Sequence, residues 1–281
     1  MIRILKITHE NYFSLEASKE YMSVSLLKSF MPKYGGCEAK ARATLNGEWE
    51  EGDKQAFLIG SYVHSWSQSK KAFQKFISEN RDKVYKGKNS DGDPYAYILK
   101  ADKMIEVIKN DPLIKKVRSG SKEIIITDEL FGVNFKAMVD IYNPKHKTLI
   151  DLKTTKDMFG KVYSENEMQY VTFIRAYGYD LQLAIYAELE RRFRGGSEHF
   201  TPHILAVTKE KYPDKQLINM GTDFIPQVIE NVEIKMPRII DVWKGNAEPK
   251  RCERCDYCKS TKQLSKPIYY DYEMDKLVFL D

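Results

Sequence analysis

Residues 140 to 155, DIYNPKHKTLIDLKTT, constrain what this chain can fold into more than any other stretch. Two apolar runs flank a turn bearing Pro144 and Lys147, the pattern of a β-hairpin. Asp140 falls near the end of the first strand and Asp151 near the start of the second. Acidic residues are depleted in strands, and like charges facing across a pair destabilise it. The turn sets the register: a four-residue loop, 144–147, pairs Asn143 with Thr148 and brings Asp140 opposite Asp151, whereas an odd-length loop would put them on opposite faces. Side chains two apart share a face, so Asp151 and Lys153 point together while Ile150 and Leu152 turn away. Two carboxylates meeting in this way repel unless a cation lies between them, and Mg²⁺ is commonly held by one or two carboxylates with water and phosphate. A lysine beside such an ion can orient or deprotonate an attacking water, or steady developing charge. Asp-x-Lys alone is read as a surface ion pair; an Asp eleven residues upstream across a hairpin makes the metal reading more specific.

The flanking pattern extends this hairpin into a sheet. EIIIT, FKAMVDIY and TLIDLKTT predict three sequential strands. The run from Tyr170 to Arg194 predicts one long amphipathic helix ending at Gly195–Gly196, and HILAVTKE and KQLINMG predict two more strands around a Tyr-Pro-Asp turn. Upstream, Ser23 or Ser25 can cap a short helix, a second starts near Cys37, and KQAFLIGSYVHSWSQ has helical periodicity. Asp93 with Pro94 is expected to cap the helix whose stripe is Tyr97, Ala101, Met104, Ile105 and Ile108. In the helical run from Phe224 to Gly245, Pro237 implies a kink or break. The order predicts one α/β domain over 1–281: a mainly helical part to 120, a central sheet and long helix over 121–220, and a C-terminal helix and cysteine cluster over 221–281.

With 281 residues, 42% of them hydrophobic, the chain can bury a substantial core. A net charge of +5 is compatible with a polyanionic partner. No N-terminal run resembles a signal peptide and no stretch approaches a membrane span, so a cytoplasmic protein with no membrane partner is expected. The SDGDP loop lacks the ligand ladder of a calcium site.

MVD…IDLKTT resembles the Asp…(Asp/Glu)-x-Lys core of the PD-(D/E)XK nucleases. GSYVH resembles the Gly-x-x-x-His motif of the RecB-like branch, YDLQLAIY resembles its Gln-x-x-x-Tyr motif, and Glu123 lies where several such nucleases carry a glutamate. From SVSLLKSF to CDYCKSTK the chain looks like the phage and prophage exonuclease VIII (RecE-like) group. The resemblance implies a restriction-endonuclease-like core, a mixed sheet flanked by helices. It implies Mg²⁺ or Mn²⁺ held by His64, Asp140, Asp151 and the Leu152 carbonyl, with Lys153 assisting attack on a phosphodiester. Gln182 and Tyr186 would donate to a DNA phosphate or to the ligand carboxylates, and Glu123 would assist. Further implications are 5'-to-3' resection of linear duplex DNA ends, a single-strand annealing protein as partner and a homo-oligomeric ring. Against these stand plainer readings: His64 as a buried core histidine, Tyr186 as core, Glu123 as a solvated strand end.

The four cysteines, Cys37, Cys252, Cys255 and Cys258, have metal-ligand rather than disulfide spacing. Cys-x-x-Cys-x-x-Cys with a distant fourth cysteine suits a 4Fe–4S cluster; a Cys₄ zinc site competes. Some RecB-like nucleases are similar in placing one cysteine upstream and three downstream of the core around such a cluster, although their last gap is longer. Cys37 and Cys252 are 215 positions apart, and closing so long a loop constrains the unfolded chain by roughly 5 kcal/mol.

Overall fold

A computed structural model describes residues 5–50, 52, 55–87, 92–164, 167–264 and 267–278. The acidic SDGDP loop lies partly outside the described residues. The β-branched runs form strands: β1 (Ser121–Leu130), β2 (Val133–Asn143), β3 (Thr148–Thr155), β4 (Lys161–Ser164), β5 (Gln169–Thr172), β6 (Thr201–Thr208), β7 (Lys215–Asn219), β8 (Tyr269–Asp271) and β9 (Lys276–Val278). Five of them make a mixed sheet in the order β1-β2-β3-β6-β7, while β4–β5 and β8–β9 are separate hairpins. Among the described strands of this sheet, only β3 and β6 run parallel. A parallel pair needs a long crossover, and the helix Tyr179–Arg194 supplies it.

Both faces of the sheet are covered, which is why its strands carry apolar residues at successive positions. On one face Leu181, Ile185 and Leu189 of the crossover helix share a core with Ile126, Phe135, Ala137 and Leu149. On the other, Ile98, Ala101, Met104 and Ile108 of the helix Ala96–Asn110 pack with Ile141, Ile150, Leu152 and Leu205. The architecture is the expected α/β one. Pro237 does break the C-terminal helical run, into Ile225–Glu233 and Met236–Lys244.

Two local expectations are corrected. The helix Ala96–Asn110 takes Tyr95 as its N-cap, with no side-chain cap. Asp93 and Pro94 instead close a loop back onto Val84–Lys86: Lys86 N–H donates to the Asp93 carbonyl at 2.8 Å and Tyr95 N–H to that of Val84 at 3.0 Å. The long helix begins at Tyr179, not Tyr170. Gly178 precedes it at φ +62°, a left-handed conformation that ends the short helix Phe173–Ala176. Residues 169–172 pair with β4, with Tyr163 facing Tyr170 across the ladder.

The crossover helix also carries a buried charge cluster. Glu188 accepts from Arg191 (2.7 Å), Arg192 (2.8 Å) and His199 (2.8 Å). Burial alone would raise its pKa, but these donors hold it down to about 2. A carboxylate depressed from about 4.5 contributes stability that is fully present above pH 4.5 and is lost as pH falls toward 2. Glu188→Gln is therefore expected to lower unfolding free energy at pH 7 by roughly 3 kcal/mol, with the gap to wild type closing below pH 4 in denaturant titrations.

Candidate active site

The site forms where β3 leaves β2. Their hydrogen-bonded pairing covers only Asn143↔Thr148, Tyr142↔Leu149 and Ile141↔Ile150, whereas β3 stays paired with β6 over eight positions. Counting on from this register puts Asp140 across from Asp151, but the ladder has already opened there. Asp140 fills the fork: its Oδ2 accepts the Leu152 N–H at 2.7 Å, replacing the lost ladder bond. In an extended strand the N–H and C=O of one residue face the same edge, so the Leu152 carbonyl also faces the fork.

The helix Gln55–Gln68 brings His64 to this point, with Nδ1 3.4 Å from Asp140 Oδ2. Gly60, one turn earlier, lies against Thr154 of β3. From β1, Glu123 completes a trio: one ligand atom each from His64, Glu123 and Asp140 lie within 4.8 Å of one another. Glu123 holds φ +51°, and the β1–β2 ladder skips it between Lys122↔Ile141 and Ile124↔Val139. A left-handed conformation costs a non-glycine residue about 1–2 kcal/mol, and here it interrupts the ladder beside Asp140.

Asp151 belongs to a second, adjoining group. Its Oδ1 accepts from Gln182 Nε2 at 2.8 Å, and Gln182 Oε1 in turn accepts from Lys153 Nζ at 3.1 Å. Lys153 Nζ also lies 2.8 Å from Asp151 Oδ2. Beyond this ion pair, that buried oxygen has no other polar partner among the described residues. Tyr186 is buried one turn beyond Gln182, and Gln182 is among the groups that act on its hydroxyl. Of this pair only Gln182 contacts a carboxylate of the site, whereas Tyr186 packs in the core.

The charges are strongly interdependent. Burial opposes ionisation of Asp140, but His64 and Lys153 hold its pKa below the usual range. Burial would lower the His64 pKa, yet the Asp140 carboxylate raises it overall. Asp151 is pushed up by burial, against the pull of Lys153. Glu123 is pushed up to about 7 by burial and by Asp140. Burial disfavours the Lys153 ammonium, but Asp151 and Asp140 outweigh it and keep the amine protonated. Three carboxyls crowded with a histidine, two of them pushed toward protonation, form a donor set suited to a hard divalent cation. His64, Glu123 and Asp140 would hold such an ion, with Asp151 and the Leu152 carbonyl at its edge.

Sequence reasoning missed several neighbours. His9 Nε2 lies 2.8 Å from the Glu123 carbonyl, and the buried Tyr12 lies close enough to Glu123 and Asp140 to feel both charges. The Tyr179 ring centre is 4.6 Å from Lys153 Nζ. No short-range motif marks these residues, because they arrive from other parts of the chain.

A cysteine centre lies apart from this site. Sγ atoms of Cys37, Cys252, Cys255 and Cys258 come within 4.8 Å of one another. Cys37 and Cys258 sulfurs are 3.6 Å apart and those of Cys252 and Cys258 3.9 Å. The Cys255 and Cys258 N–H groups donate to the Cys252 and Cys255 sulfurs. Burial opposes the Cys252 thiolate, but the N–H groups of Arg254 and Cys255 bring its pKa down to about 6. The centre ties the helix Glu38–Asn46, whose N-cap is Cys37, to the helix Asp256–Ser260, whose N-cap is Cys255.

A mixed sheet opened at a fork by an Asp and followed by Asp-x-Lys is the core of the PD-(D/E)XK superfamily. Residues 23–261 match the family described as a PDDEXK-like domain of unknown function, and the chain belongs to that family. It is similar to a solved crystal structure named "Putative exonuclease" from Eubacterium rectale, at 36% identity and TM-score 0.86, over 94% of this chain and 97% of that one. A second solved structure, SSO0001, is 13% identical over 79% of this chain and 91% of that one, with a TM-score of 0.30. No curated protein sequence gives a significant match. Among the described residues, no helix is long and apolar enough to cross a membrane.

Proposed function

We propose that the protein is a divalent-metal-dependent DNA exonuclease. The observation that carries this reading is the Asp151–Lys153–Gln182 triangle standing beside the His64, Glu123 and Asp140 trio at the β2–β3 fork. A bound Mg²⁺ or Mn²⁺ would polarise the phosphate and lower the pKa of a coordinated water. The chain's own residues do the rest. Lys153, whose ammonium Asp151 and Asp140 favour against burial, stabilises negative charge developing on the phosphate oxygens. Gln182 fixes both Lys153 and Asp151 by donating to one and accepting from the other. Asp140, locked by the Leu152 N–H, orients His64.

The similar E. rectale protein bears the name "Putative exonuclease", and the resemblance to the exonuclease VIII group suggests linear duplex DNA as substrate. On that reading the enzyme resects ends 5'-to-3' for recombination, leaves a strand for an annealing protein and works as a ring in the cytoplasm. The test is degradation of end-labelled linear duplex DNA with Mg²⁺ and with EDTA. Cleavage from the 5' ends in Mg²⁺ alone is expected. An intact substrate in both conditions would leave only a DNA-binding module; internal cuts, or trimming of single strands or flaps alone, would point to a different substrate on the same core.

For the cysteine centre, the sulfur spacing favours one tetrahedral ion over a 4Fe–4S cluster. Four thiolates about 2.3 Å from a central zinc stand about 3.8 Å apart. In a cubane each thiolate binds a different iron, which spreads the sulfurs further. Zinc is the proposed occupant, and its role is structural.

A further inference from the structure

Lys28 lies in the last turn of the helix Val24–Ser29 and has no part in the chemistry described above. Its Nζ donates to the Tyr177 carbonyl at 3.1 Å and lies 5.9 Å from the centre of the Tyr179 ring. Lys153 Nζ lies 4.6 Å from the centre of the same ring. Two ammonium groups from positions 125 residues apart thus share one aromatic ring beside Asp151.

Their counter-charges are largely spoken for. Asp151 is held by Lys153 and Gln182. Asp180, the other acid that acts on Lys28, is pushed toward protonation by burial. Lys33 and Arg175, cations of the same edge, pair with Glu167 at 3.1 and 2.6 Å. Burial first, and then the nearby Lys153, pull the Lys28 pKa down to about 8. Like charges gathered in a half-buried place raise each other's free energy, and an anion binding between them removes that penalty. A nucleic-acid strand carries such an anion at every nucleotide, and the two ammoniums lie 5.9 and 4.6 Å from the centre of one ring.

We propose that Lys28, which shares the Tyr179 ring with Lys153, forms a phosphate-binding subsite for the phosphodiester adjacent to the one hydrolysed. The proposal rests on the nuclease reading and adds to it a contact that holds the strand in register.

The test measures binding separately from cleavage. Anisotropy of dye-labelled linear duplex DNA in EDTA is followed across a NaCl series for wild type, Lys28→Met and Lys28→Arg. Methionine keeps an unbranched aliphatic stem and removes the charge. Lys28→Met is expected to weaken binding about tenfold at low salt. Its plot of log affinity against log salt should be shallower by about one, since one phosphate contact is lost, while Lys28→Arg should keep both wild-type values. A single methylphosphonate next to the cleavage position should weaken wild type and leave Lys28→Met unaffected; this arm needs the wild-type protein to respond whatever the variant's stability. A folded Lys28→Met with wild-type affinity and slope, or a wild type indifferent to the methylphosphonate, overturns the subsite. Wild type that binds DNA but fails to cut it in Mg²⁺ overturns the nuclease reading instead, and the slope comparison still decides for or against Lys28.

Discussion

Asp151→Asn is expected to lower metal-dependent DNA cleavage by at least about a thousandfold. Asparagine keeps the shape and can still accept from Gln182, so the loss isolates the charge. That charge has two partners: the Lys153 ammonium at 2.8 Å and the cation the site is suited to hold. The variant should also lose stability, because it leaves Lys153 buried beside one acid fewer. Removing one member of a buried ion pair costs about 3–5 kcal/mol, whereas removing both is often neutral. The double variant Asp151→Asn, Lys153→Met is therefore expected to regain much of the melting temperature and none of the activity. Thermal melts run beside end-labelled cleavage assays check both halves. Wild-type cleavage by Asp151→Asn would remove the acid–lysine pair from the mechanism.

The second large effect concerns the cysteine centre. Cys258 is fully buried between the Cys37 and Cys252 sulfurs. Cys258→Ser is expected to empty the centre and lower stability by roughly 3–5 kcal/mol, the scale of the long-loop closure that the metal enforces. For a chain of this length that is a fall in Tm of about 10 °C. A strong chelator acting on wild type should reproduce the shift, and elemental analysis of the untreated protein should find one zinc per chain. Iron with acid-labile sulfide would replace zinc by a cluster. A wild type that carries no metal, and whose Tm a chelator leaves unchanged, would reduce the four cysteines to a packed thiol cluster.

Much of the candidate site was legible because its signals are short-range. Asp140, Asp151 and Lys153 lie within one hairpin, and the period of two together with a four-residue turn sets which of them face one another. Gly-x-x-x-His and Gln-x-x-x-Tyr each span about one helical turn, so His64 and Gln182 could be named without knowing where their helices dock. The docking itself was not legible. Asp140 and Asp151 read as facing one another across the ladder, yet the strands part before reaching them. Asp140 gathers with His64 and Glu123, while Asp151 turns to Lys153 and Gln182. The fork depends on β3 following β6, fifty residues further on, and no local pattern encodes that choice.

The boundary errors have the same origin. Residues 169–172 look helical as part of an amphipathic run, but cross-strand pairing with β4 and the left-handed Gly178 take them out of the helix. Lys28, Tyr179, His9 and Tyr12 carry no motif, because each matters only through a neighbour far away in the chain. By itself the sequence determined the α/β class, the chemical types gathered at the site and the four thiols available to a metal, since these follow from periodicity and composition over a few residues. Only the tertiary structure decided which acid stands with which partner, where the strands open and which cations overlook the opening, because those depend on contacts between segments that share no local pattern.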